Sequence, residues 1–257
     1  MNALEAHLDA IVLVGAQAVY LHTGDADLTV APTTTDADIA LSPGRLADAP
    51  LIEEALGRAG FTPGRNPGTW HGRGSVAIDL MVPEALSGAG GRRGARLPMH
   101  GNRVARRTLG LEPAIVDNEE HELSAFGDES RGLLVRVAGP AALLVAKLIK
   151  IEERRATPAR QKPKDGLDVL RLLRVIDMPA VAARLRLLAE HEVAGEVTRQ
   201  ALAAIRAHGD DPGGPVATLA ADATAVFADR EETARSTAFL LQDLLEAYET
   251  CVTARNR

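Results

Sequence analysis

From Thr34 to Leu41 the chain reads TTDADIAL, alternating polar and apolar side chains, which is the period of a strand with one wet face and one buried face. Thr34, Asp36, Asp38 and Ala40 share one face; Thr35, Ala37, Ile39 and Leu41 share the other. Both carboxylates therefore point the same way. Two ionised acids one pleat repeat apart repel each other, so unless water solvates them one keeps its proton or both share a cation. A hard divalent ion whose other positions are filled by phosphate oxygens removes that conflict. An edge strand with a wet outer face removes it equally well.

The flanking segments supply the rest of an α+β unit. Leu4 to Asp9 reads as a short helix, and Ile11-Val12-Leu13-Val14 as a buried strand that delivers Gly15 to a turn before a helix from Ala16 to His22. Strand, glycine and helix in that order let backbone approach a phosphate and aim a helix N-terminus at it, although a glycine after a strand is also an ordinary turn. Ala47 to Ala59 has helical periodicity with Gly60 beyond it. Val76 to Val82 is a second apolar strand, interrupted by Asp79. A lone acid there is costly to bury unpaired and should face solvent, a partner or a metal. Leu111 to Val116 and Leu133 to Val137 read as further strands, and Asn118 to Glu122 as an acidic connection.

Between Gly91 and Leu109 stand Arg92, Arg93, Arg96, Arg103, Arg106 and Arg107 with no acid, on a chain whose formal charge is −6. Such an asymmetry fits a phosphate-backbone contact surface for RNA or DNA, or a solvated loop that balances acids elsewhere. Past Gly139-Pro140 the pattern is helical: Pro140 to Arg155, Asp165 to Ile176, Ala180 to His191, Glu196 to His208 and Glu231 to Ala254, with Asp210 to Pro215 as a break. The reading is a mixed-sheet core over residues 1–138 followed by a helical bundle over 139–257. Lys147 falls in the apolar stripe of its helix, with Leu143 and Ile151, and must snorkel to water or meet an anion. Lys150 and Arg154 lie on the polar flank and read as surface. Asp165 and Asp168, three apart at a helix start, read singly as an N-cap and as a partner of Arg171.

No apolar run approaches the ~20 residues of a membrane span, and Met1 to Glu5 lacks a basic leader. With one cysteine, Cys251, the cytoplasm is the expected compartment.

Together, Gly15, the Thr34-x-Asp36-x-Asp38 strand, Asp79, the stretch Val137-x-Gly139-Pro140-x-x-Leu143-Leu144-x-x-Lys147-Leu148 and Lys164-Asp165-x-x-Asp168-Val169 resemble the nucleotidyltransferase superfamily with a polymerase-β-like core. The AbiEii-type, MenT-like toxin nucleotidyltransferases are the closer likeness, over roughly residues 10 to 175. Two positions depart from that pattern: Gly15-Ala16-Gln17 stands where a Gly-Ser or Gly-Gly is common, and Pro32 where many relatives carry arginine. The resemblance implies a mixed-sheet nucleotidyltransferase core and Mg2+ or Mn2+ held by Asp36, Asp38 and Asp79, with Asp79 also accepting a proton. It implies a nucleoside triphosphate met by Gly15, Gln17 and Lys147, with Asp165 or Asp168 orienting the lysine or the nucleotide. The implied acceptor is an RNA such as a tRNA 3′ end, docked on Arg92 to Arg107, and the implied partner an antitoxin protein. Two other readings stay open: the same chemistry on a small molecule, and a catalytically silent protein that keeps the fold and acts by binding.

Overall fold

Every residue of β1 (Ile11–Val14) is buried. In the computed structural model, which describes all residues except Met1, 25–35, 89–92, 126–127 and 256–257, β1 lies inside a mixed sheet, paired on both edges. A strand without a polar side chain suits that position, since covering each Val, Leu or Ile contributes about 1.5–3 kcal/mol.

A 3-10 helix, Asn2–Ala10, leads into β1. There follow α1 (Gly15–Thr23), β2 (Asp36–Leu41), α2 (Ile52–Arg58), β3 (Thr62–Pro63), β4 (Thr69–His71), β5 (Ala77–Pro83), β6 (Arg106–Thr108), α3 (Glu112–Val116), β7 (Asn118–Ala125) and β8 (Asp128–Ala138). The sheet runs β3-β4-β5-β2-β1-β8-β7, with β6 added on β5. β2 is antiparallel to β1 and parallel to β5. The other edge of β5 is divided: β4 pairs with residues 77–79 and β6 with residues 81–83. Gly68 sits at that division with φ +84, its N–H donating to the Arg103 carbonyl and its carbonyl accepting from Leu80. A Cβ there would meet the Leu80 carbonyl and the Arg106 amide nitrogen.

Three sequence expectations change here. Leu111 to Val116 is not a strand: residues from Glu112 form α3, with Pro113 in its first turn. Proline has no N–H for a ladder but is preorganised for a helix start. The buried Glu112 carboxylate accepts from the amides of Gly110 (2.8 Å) and Ala85 (3.1 Å), which fixes the bend. Asn118 to Glu122 is not a connection but part of β7, at the end of the sheet. An edge position tolerates its acids, and Glu120 pairs across the ladder with Arg136 at 3.2 Å. The helix expected from Ala47 starts only at Ile52, because Pro50 lacks an N–H and biases Ala49 away from helix. Thr34 and Thr35 lie outside the described residues.

Residues 2–18 and 36–139 form one compact unit; residues 19–24 and 140–255 belong to a second. The second contains α4 (Pro140–Arg154), α5 (Pro163–Val175), α6 (Met178–Glu190), α7 (Gly195–His208), α8 (Pro215–Thr224) and α9 (Arg230–Arg255). Sequence reasoning did not assign α8. It is alanine-rich, with Ala217, Ala220 and Ala221 buried, and it packs on α5 and α9. Its close approach to α5 needs Gly166, where a Cβ would lie 2.5 Å from the Ala220 amide nitrogen and 2.7 Å from the Leu219 Cβ. Among the described residues no helix is long and apolar enough to cross a membrane.

Two predictions follow from this packing. Gly166→Ala gains at most ~1 kcal/mol of helix propensity but overpacks the α5/α8 contact, so it should lower the stability read from urea denaturation by about 1–2 kcal/mol; an unchanged midpoint contradicts this. The second concerns His7, 1% exposed, whose Nε2 lies 2.9 Å from the Pro50 carbonyl. Burial holds its pKa below 6.5; the Pro50 carbonyl opposes this and His100, in edge contact at 5.3 Å, adds to it. The unfolded chain therefore binds the proton first, so the stability due to neutral His7 is complete above pH 6.5 and is lost as the pH falls below it. The slope can reach ~1.4 kcal/mol per pH unit. Thermal midpoints between pH 7 and pH 5 should fall less steeply in His7→Gln than in the parent.

Candidate functional site

On the sheet, register assembles the first group of acids. Asp38 lies opposite Val14 of β1 on one side and opposite Asp79 of β5 on the other, and Asp79 in turn lies opposite Thr69 of β4. Val14, Asp38, Asp79 and Thr69 thus make one cross-strand row on one face, with Asp36 on the same face two residues before Asp38. Paired strands are about 4.8 Å apart, and two like charges at that spacing repel by roughly 1–3 kcal/mol at dielectric constants between water and a protein surface. That favours side chains that turn apart: Asp38 lies against Gly15 and Asp79 against Thr69 and Arg106. Asp36 is exposed; Asp38 and Asp79 are half-buried.

Two side chains hold Asp79. The Thr69 hydroxyl donates to its Oδ1 at 2.8 Å, and Arg106 Nη2 stands 3.6 Å from its Oδ2. The carboxylate oxygens of Asp36, Asp38 and Asp79 do not all come within 4.8 Å of one another. The three acids expected as one metal set share a face without closing on one point. Asp36 is a full pleat repeat away, and Asp79 is turned to Thr69 and Arg106.

Gly15 abuts Asp38. It opens α1 with φ +70, a backbone conformation that favours glycine, and a Cβ there would overlap the Asp38 carboxylate, 2.7 Å from its Cβ and 2.8 Å from its Cγ. The strand-glycine-helix turn therefore brings the positive end of α1 to an acid of the row. Gln17 lies in the first turn of α1, half-buried. As donors, register-matched carboxylates on one face match the chemistry of a hard divalent cation.

Among the described residues the arginines do not form one solvated patch. Arg107 pairs with Glu84 at 2.9 Å and Arg106 with Asp79, whereas Arg103, exposed, donates to the Arg65 carbonyl. Arg93 and Arg96 are exposed; Arg92 lies outside the described residues.

The second group of charges is internal to the helical unit. Lys147, 6% exposed, has its Nζ 2.5 Å from Asp168 Oδ2 and 3.3 Å from Asp165 Oδ1. Arg154 (2.7 Å) and Lys150 (3.6 Å) also reach Asp165. The anion required of a lysine in an apolar stripe is thus a pair of aspartates. Asp165 is not the N-cap of α5, a place held by Lys162. Nor does Asp168 pair with Arg171, whose guanidinium lies 5.3 Å from the Tyr20 ring centre. Lys150 and Arg154, taken from sequence as ordinary surface, complete the cluster. Their spacing from Lys147, three and seven residues on, is the signal that could have found them. Burial alone raises the Asp165 pKa, but Lys147, Lys150 and Arg154 outweigh it and hold the carboxyl below 3.8.

Removing one partner of a buried pair leaves an uncompensated charge, so Lys147→Met should cost about 3–5 kcal/mol in denaturant unfolding. Adding Asp168→Leu to that variant should recover part of the loss. A single variant as stable as the parent contradicts a structural role for the cluster.

Compared with known proteins, the chain matches no family model, no curated protein and no solved structure.

Proposed function

We propose that the chain is a metal-dependent nucleotidyltransferase that transfers a nucleoside monophosphate from a nucleoside triphosphate to a hydroxyl of RNA. The observation that carries this reading is the Asp38/Asp79 register match beside the glycine that opens α1. Like charges aligned on adjacent strands are a cost that a cation offsets, and at Asp79 the half-exposed Arg106 offsets part of it. The missing side chain of Gly15 is what lets the Asp38 carboxylate lie against the first turn of α1.

A divalent ion at these carboxylates, Mg2+ or Mn2+, supplies charge neutralisation of the α-phosphate and of the departing pyrophosphate. Asp38 and Asp79, with Asp36 as the outer carboxylate, would hold the ion. Asp79 accepts the proton of the attacking hydroxyl. The new bond joins that oxygen to the α-phosphorus as the bond to the β-phosphate oxygen breaks, and pyrophosphate leaves. Gln17 and the backbone amides of the first turn of α1 are the groups offered to the phosphates in place of a serine hydroxyl. Lys147, Asp165 and Asp168 are assigned to holding α4 on α5, because the lysine's charge is already met by the two aspartates. That same engagement of Lys147 is what favours the second reading, a silent relative that binds partners without transfer. A toxin's role beside a separate antitoxin rests on the sequence resemblance alone.

The test incubates the purified full chain with each of the four nucleoside triphosphates labelled at the α-phosphate, magnesium and total RNA. Label should enter RNA, fall steeply as salt is raised, and drop by ~100-fold or more in Asp38→Ala with the thermal midpoint unchanged. Transfer to small acceptors but not to RNA overturns the acceptor assignment. No transfer from any triphosphate overturns the enzyme in favour of the silent relative.

A further inference from the structure

Asp79 occupies the one place on β5 where the neighbouring strand changes. β4 ends its pairing at the row that contains Asp79, and β6 begins its own with Arg106 opposite Met81, two residues further along the same face. That division is fixed by backbone: Gly68 receives the Leu80 N–H and donates to the Arg103 carbonyl, while the Trp70 indole donates to the Val104 carbonyl at 3.0 Å. Arg106 is therefore delivered to Asp79 by the strand order itself. Its guanidinium is steered from two sides, by Asp79 Oδ2 at 3.6 Å and by the Thr108 hydroxyl, which accepts from Nη1 at 3.1 Å. Asp79 is thus provided with a cation by the strand next to its own.

We propose that Arg106 is a positioning residue that acts through Asp79: its guanidinium is the resident counter-ion of that carboxylate and competes with a divalent cation for it. Uptake of metal on the acidic face is then an exchange, in which Asp79 leaves Arg106 and turns toward Asp38. With Asp79 engaged by Thr69 and Arg106, its oxygens are turned away from Asp38, which lies against Gly15. This engagement also keeps the Asp38/Asp79 repulsion low when no divalent ion is near. This inference rests on the metal-binding reading of the acidic row given above.

The experiment measures Mn2+ binding to the full chain from the electron paramagnetic resonance signal of free Mn2+, without nucleotide or RNA. Arg106→Ala removes the competitor and should bind Mn2+ about fivefold more tightly, the ratio expected for loss of a half-exposed ion pair. Arg106→Lys restores a cation at the same stem and should return the affinity toward the parent value. The gain should vanish in Asp79→Asn: the double variant Arg106→Ala/Asp79→Asn should match Asp79→Asn alone, a coupling that a merely structural role for Arg106 would not produce. If Arg106→Ala loses its fold by circular dichroism, Arg106→Gln carries the same comparison. Equal or weaker binding by the Arg106 variant, while Asp38→Asn abolishes binding, overturns the exchange and leaves the enzyme reading standing. No Mn2+ bound by the parent chain, with Asp38→Asn no different, overturns both.

Discussion

Like charges in register are the condition to which the sheet unit is built. β2 and β5 run parallel with Asp38 facing Asp79, and a slip by one residue would turn every side chain of a strand to the opposite face. Ile39 and Leu41, fully buried in the interior, forbid that slip. Apolar packing on one side of the strand therefore keeps both aspartates on the opposite face. The repulsion is a consequence of the core, and the groups around the row are arranged to meet it: the first turn of α1 at Asp38, Thr69 and Arg106 at Asp79.

The helical unit solves a related problem by a different means. Lys147 and Asp168 are both buried, where an unpaired charge would cost several kcal/mol, and they meet at 2.5 Å. Asp165 carries three cations, Lys147, Lys150 and Arg154, and lies in the first turn of α5, where a negative charge is favoured by the helix dipole. On the sheet the acids are exposed or half-buried at the surface; among the helices they are buried and neutralised by cations of the chain. That difference is why the functional proposal rests on Asp36, Asp38 and Asp79.

Much of this could be read from residue patterns, and the failures have definite causes. β1, β2 and β5 were legible because a continuous apolar run and a strict alternation are unambiguous periods, and Gly15 because a glycine between strand and helix marks a turn. β7 was not, since an acid-rich edge strand lacks the apolar face that periodicity detects; only its pairing with β8 reveals it. α8 was not, because small alanines give a weak stripe and the glycine that admits them, Gly166, sits on another helix. Within the site, Asp79 could be singled out from the sequence, but Thr69 and Arg106 reach it through strand order, which sequence spacing does not encode. The arginine cluster looked uniform as a sequence, and strand pairing divided it into ion-paired and exposed members.

The claim on which the account depends is that the face carrying Asp38 and Asp79 takes up a divalent cation. Substoichiometric Mn2+ added to the 15N-labelled full chain tests it directly, because paramagnetic broadening falls off steeply with distance from the ion. The account predicts that the amide signals of Gly15, Asp38 and Asp79 disappear first. Broadening that spares these three while erasing signals elsewhere, or none at all, would contradict it.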